Sequence, residues 1–94
     1  MKQYTNKDQT AKLIELGFRS PVGVGYNYSI GELIEFLPLE LEPHPDTARR
    51  TIVGNEVLYC DEYIEWVDLR FNKHKEILDN LFDACVTLKE EGLI

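Results

Sequence analysis

Between Leu78 and Leu88 the apolar residues Leu78, Leu81, Phe82, Cys85 and Leu88 recur at three- and four-residue steps, with Ile77 just before and Val86 on one flank. That spacing gathers them on one stripe of a helix, which has to be buried against something. The end is written in as well: Gly92 can take the left-handed conformation just past the helix, and Leu93 would then meet Leu88. Near the start of the chain, Asn6 has the chemistry of an N-cap with Gln9 three residues on, and Asp8 suits the helix dipole. That helix runs through Ala11, Leu13, Ile14 and Leu16 and stops at Gly17, where Phe18 can meet Leu13 at the offsets used by Leu93 and Leu88. Ser29-Ile30-Gly31-Glu32 is a second capping box, opening a short helix from Ile30 to Leu37 that Pro38 stops.

Elsewhere the period falls to two. Leu39-Glu40-Leu41-Glu42 reads as a strand with both leucines inward, and Arg49 to Val53 and Glu56 to Cys60 read as two strands joined by a Gly54-Asn55 turn. Tyr63 to Phe71 is β-rich, but its alternation breaks: Ile64 and Trp66 fall on one face, Val67, Leu69 and Phe71 on the other. A bulge near Trp66–Val67, or a strand buried on both faces, would explain this; a helical stripe of Tyr63, Val67 and Phe71 is the alternative. Asn72 is placed to cap the last helix. Residues 22–28 alternate Val22, Val24, Tyr26 and Tyr28 with small or polar residues, which fits a short strand or an extended loop equally. The expected architecture is a single α+β domain over residues 1–94. It has two or three helices on a small antiparallel sheet of about three strands, in the order α-α-β-β-β-α.

A chain of 94 residues buries only about 60–65% of its unfolded surface, so stability is expected to be modest. The formal net charge is −7, unevenly spread: residues 1–28 carry a net +2, whereas residues 29–62 carry a net −6. Such a surface disfavours phosphate backbones, so no nucleic-acid partner is expected and a basic protein partner suits it better. The polar start lacks the apolar core of a signal peptide, and no stretch approaches a membrane span; a soluble, cytoplasmic protein is expected, with no membrane partner. Cys60 and Cys85 sit in no metal motif and need no bridge, in keeping with a reducing compartment.

Chemistry is thinly supported. Gly23-Val24-Gly25 invites a phosphate loop, but Tyr28 stands where the third glycine of such a motif belongs and no lysine follows. Cys60 with His44, His74, Asp46, Asp61 and Glu62 could be assembled into a Cys–His–acid hydrolase, although nothing in the spacing demands their meeting. Cys85 lies on the apolar stripe. The carboxylates Glu32, Glu35, Glu40 and Glu42 read as wet faces of a helix and a strand, and no catalytic residue, cofactor site or metal site is assigned. The rings Tyr26, Tyr28, Tyr59, Tyr63 and Trp66 are core by default, yet polar-tipped aromatics also anchor interfaces. Trp66, Tyr59, Tyr63 and Ile64 are the expected interface residues. Their apolar strand, with few spare elements to cover its second face, points to a homodimer joined at the sheet with Trp66 near the axis.

Three stretches resemble a group of short uncharacterised proteins of gut bacteria and their mobile elements, including prophages. They are Gln9 to Gly17, Tyr28 to Pro38, and Leu78 to Ile94. Members commonly carry Thr at the Asn6 position and an aromatic at the Leu93 position, preserving cap and contact. The likeness is poor from Leu39 to Phe71. It implies a fold and a mobile-element accessory role, and it transfers no functional residue. The preferred functional expectation is a small acidic, non-catalytic interaction module whose partner is another protein or itself. The alternatives are the Cys/His-dependent hydrolase and an acidic inhibitor that mimics nucleic acid.

Overall fold

The computed structural model describes residues 1–22, 25–41, 48–60 and 67–94, with the backbone alone at 67 and 68. Three helices and four strands follow in the order α-α-β-β-β-β-α: α1 (Lys7–Glu15), α2 (Ile30–Phe36), β1 (Glu40–Leu41), β2 (Ala48–Val53), β3 (Glu56–Cys60), β4 (Val67–Phe71) and α3 (Ile77–Glu90). The strands form one antiparallel sheet in sequence order. The α+β class is as expected, and the sheet has four strands rather than three.

The local signals became local structure. Asn6 and Gln9 close a capping box on α1, and Ser29 and Glu32 close another on α2. Both glycine stops have the six-to-one and five-to-two hydrogen bonds of a Schellman motif. Phe18 N donates to Leu13 O and Gly17 N to Ile14 O; Leu93 N donates to Leu88 O and Gly92 N to Lys89 O. Gly17 and Gly92 have φ of +96° and +73°, as that geometry requires. The β2–β3 hairpin turns on Gly54 at φ +60° while Asn55 stays negative, the pattern of a type II′ turn whose twist suits a two-residue hairpin.

Two local expectations were overruled, and one open choice was narrowed. Asn72 does not cap α3; its amide donates to Glu56, and the cap position is Glu76, which makes no side-chain capping bond. Leu41 is buried, but Leu39 stays 68% exposed, although Arg50 N of β2 donates to its carbonyl at 2.9 Å. In the 22–28 segment the described residues form no strand, and only an isolated bridge links Tyr4 to Ser29.

The core lies between one sheet face and the helices. Leu41, Ala48, Val57, Tyr59 and Phe71 meet Leu78, Leu81, Ala84, Cys85 and Leu88 of α3, with Leu13 and Leu33 from the other helices. Leu58 and Cys60, one step out of phase on β3, are buried too, but they face away from that cluster. A register shift in the β3–β4 pairing matches Tyr59 with Leu69 and Cys60 with Val67, so β4 carries one extra residue there. The described part of the segment is therefore a strand with a bulge at Asp68, beside the expected Trp66–Val67 position. The other part of that segment, including Tyr63, Ile64 and Trp66, lies outside the described residues.

Candidate interaction site

The segment from Arg19 to Tyr28 joins α1 to α2 and is pinned at both ends by side chains. At the first end, Phe18 packs on Phe36 with ring centroids 4.8 Å apart, and the Arg19 guanidinium lies 5.0 Å over the same ring. Arg19 then reaches Glu32 at 2.9 Å and Glu35 at 3.1 Å. Glu32 is the hub. One carboxylate oxygen accepts from Ser29 N to close the α2 cap, while the other takes Arg19 and Val22 N. Burial alone would raise this carboxyl, but the Arg19 hydrogen bond and the Ser29 and Val22 amides hold it below its usual range.

At the other end Tyr28 is fully buried, and its hydroxyl donates to Arg19 O, tying the two ends together. Tyr28 N donates to Thr5 Oγ1 at 2.9 Å, and Thr5 N donates back to Tyr28 O. Thr5 Oγ1 lies 2.7 Å from Thr10 Oγ1, which donates to Asn27 Oδ1 at 2.7 Å. Each hydroxyl has one proton, so the order is determined: Thr10 gives its proton to Asn27 and must therefore accept from Thr5. No buried side-chain polar atom among the described residues lacks a partner.

Val22 and Tyr26 are each 81% exposed. Gly25 and Tyr26 have φ of +86° and +59°, and Tyr26 is the one described non-glycine residue in the left-handed region. The segment is also neutral: residues 20–31 are twelve consecutive residues without a charged side chain, the longest such run in a chain that is 29% charged. That run was legible in the sequence. The alternation of Val22 to Tyr28 fits a strand as well as a loop, and it is a separate signal from the missing charge.

The expected interface residues fare differently. Tyr59 is in the core with no exposed surface, its hydroxyl donating to Pro38 O at 2.7 Å and its pKa pushed by burial to about 12. It has nothing to offer a partner, so it is withdrawn as an anchor. Trp66, Tyr63 and Ile64 lie outside the described residues. Of the five rings first considered, Tyr28 and Tyr59 are core, and Tyr26 is the one exposed among the described residues.

Cys60 is buried with its thiol 3.5 Å from Thr51 Oγ1, and Cys85 is buried with its thiol directed at Leu33 O. Burial pushes Cys85 up to about 12, away from the thiolate. His74 pairs with Asp83 at 3.0 Å on the surface, while His44, Asp46, Asp61, Glu62 and Glu42 lie outside the described residues. Glu40 sits 3.7 Å from Arg49, so Glu32, Glu35 and Glu40 each lie beside an arginine. No group of three or more metal-ligating side chains is gathered among the described residues, and none of their helices is long and apolar enough to cross a membrane.

The uneven charge has a structural use. Lys2 pairs with Asp79 at 3.0 Å, Lys12 with Glu90 at 3.4 Å and Arg19 with two glutamates of α2, so the basic first segment is matched to acids elsewhere in the fold. Comparison with protein-family models, with curated proteins and with solved structures finds no match.

Proposed function

We propose that the chain is a small acidic interaction module without catalysis of its own, which holds a protein partner through the segment between Arg19 and Tyr28. One observation carries this reading: two apolar side chains, Val22 and Tyr26, stand in water on a segment held at both ends by buried or part-buried hydrogen bonds. Tyrosine is among the side chains that most often anchor protein interfaces, which supports this reading. An accessory role in a larger assembly accords with the resemblance of the capped helices to short proteins of mobile elements.

Capture on the immobilised chain, from extracts of cells that carry its gene, tests the proposal. A reproducible partner that is lost with a Val22→Ser, Tyr26→Ser variant of unchanged melting temperature is the expected result. No reproducible partner, or one indifferent to the double substitution, would overturn it. The hydrolase reading would instead show alkylation of Cys60 well below the usual thiol pKa of about 8.5, and the mimic a salt-sensitive complex with a DNA-binding protein.

Self-association through the sheet belongs to the same reading. Leu58 and Cys60 on the sheet's other face are already buried within the chain, so this proposal rests on the apolar residues of the sequence around Trp66. Light scattering over a concentration series is expected to give twice the 10.9 kDa chain mass. A monomeric mass at high micromolar concentration removes the dimer.

A further inference from the structure

We propose that the cleft between the end of α2 and residues Leu93 and Ile94 binds a basic segment of a partner protein, an arginine flanked by apolar residues. None of its lining residues belongs to the Arg19–Tyr28 segment, so this contact stands apart from the one proposed above.

The cleft is open, with a volume of about 580 Å³, within the range of sites that take a side chain or a small ligand. Phe36, Pro38, Leu93 and Ile94 line it with apolar surface, and Glu35 and Glu40 bring carboxylates to it. Its walls are fixed before anything binds. The Phe36 ring packs on Phe18 and Tyr28, with centroids 4.8 Å and 5.4 Å away. Arg50 donates to Ile34 O at 2.8 Å and to Leu37 O at 2.7 Å, and the Tyr59 hydroxyl donates to Pro38 O. Those bonds hold the corner where α2 ends. On the other side, Leu93 N donates to Leu88 O at 2.8 Å, and Ile94 packs against the core. Little conformational freedom is left to lose on docking.

Charge selects the occupant. No lysine or arginine among the described residues lines the cleft. Arg19 is shared between Glu32 and Glu35, one cation for two carboxylates. Arg49 stands 3.7 Å from Glu40 with both side chains more than half exposed, a pair that water and salt screen. Residues 29–62, which supply both carboxylates, carry a net −6. An arginine side chain matches the two kinds of lining at once. Its methylenes lie along the apolar walls while its planar fork reaches the carboxylates. A phosphate or an acidic segment would meet like charge. An uncharged apolar segment would take water from the carboxylates and replace it with nothing.

The probe is the blocked peptide acetyl-Leu-Arg-Leu-Arg-amide, titrated into the isotope-labelled full chain and followed by amide correlation spectra. Saturable shifts are expected at Phe36, Glu40, Leu93 and Ile94, with a dissociation constant on the order of 1 mM in about 0.05 M sodium chloride. In about 0.5 M salt the affinity should fall about fivefold or more. Glu35→Gln combined with Glu40→Gln should weaken binding about as much while melting within about 2 °C of wild type, since both carboxylates are exposed. Glu35→Lys combined with Glu40→Lys should reverse the preference and take acetyl-Leu-Glu-Leu-Glu-amide instead. A merely damaged cleft would bind neither peptide.

Equal shifts of wild-type protein by the glutamate peptide would overturn the proposal. So would the absence of saturable shifts below about 10 mM, or a lysine variant with no reversed preference. Shifts confined to the Arg19–Tyr28 segment would overturn it too, and would assign the basic contact to that segment.

Discussion

Asn80 is the most consequential polar residue in the core, and replacing it with leucine should unfold the protein well before any surface change would. It lies on α3 beside Leu81 and is fully buried. Its Oδ1 accepts from His74 N at 3.0 Å, and its Nδ2 donates to Asn55 O at 2.7 Å and His74 O at 3.0 Å. Asn55 answers from the hairpin turn by donating to His74 O and Lys75 O. Two asparagines thus clasp the β2–β3 turn to the segment that leads into α3. Leucine matches the volume and removes all three Asn80 bonds. His74 O keeps its bond from Asn55, leaving Asn55 O and His74 N as the groups without that partner. A lost buried partner costs about 1–3 kcal/mol, and both groups lie near the surface where water can reach part of each, so a loss of about 2–4 kcal/mol is expected. For a domain of this size that is a fall of roughly 10–25 °C in melting temperature. Thermal and urea unfolding followed by far-ultraviolet circular dichroism measure it directly. Asn80→Asp supplies an internal control, because its second oxygen faces two carbonyls and the variant should regain stability as pH falls and the acid becomes a donor. A leucine variant melting within about 2 °C of wild type, together with an aspartate variant indifferent to pH, would refute the clasp.

Gly17→Ala and Gly92→Ala should each cost on the order of 1 kcal/mol, since an added Cβ meets no neighbouring atom and only the positive φ opposes it; equilibrium denaturation with unchanged midpoints would contradict this. Both thiols should label only on unfolding, with no disulfide by mass, and rapid native labelling of Cys85 would contradict its burial. Stability should fall in acid. Burial opposes ionisation of Glu32 and Asp79, yet Arg19 and neighbouring amides hold Glu32, and Gln9 and Lys2 hold Asp79, below their ordinary values. Groups depressed in the folded state contribute fully above about pH 4.5 and lose that contribution as pH falls through their folded values, so Glu32→Gln should flatten the acid limb of a melting-temperature profile, and an unchanged limb would refute the hub.

The sequence by itself determined what depends on neighbours within about one helical turn. The Asn6 and Ser29 caps, the Gly17 and Gly92 stops, the Pro38 break and the Gly54-Asn55 turn are each settled by groups a few residues apart, and each formed as its residues dictate. Tertiary structure decided which polar groups went inside. Asn72 and Asn80 are chemically alike, and only the approach of the β2–β3 turn to α3 makes Asn80 the buried one. Tyr26, Tyr28 and Tyr59 are likewise the same side chain. Tyr28 and Tyr59 can be buried because the carbonyls of Arg19 and Pro38 arrive to accept their hydroxyls. Tyr26, turned outward at a positive φ, is left in water. A hydroxyl is buried at little cost only where an acceptor stands ready. Those acceptors lie 9 and 21 residues away along the chain, at distances that no local pattern encodes.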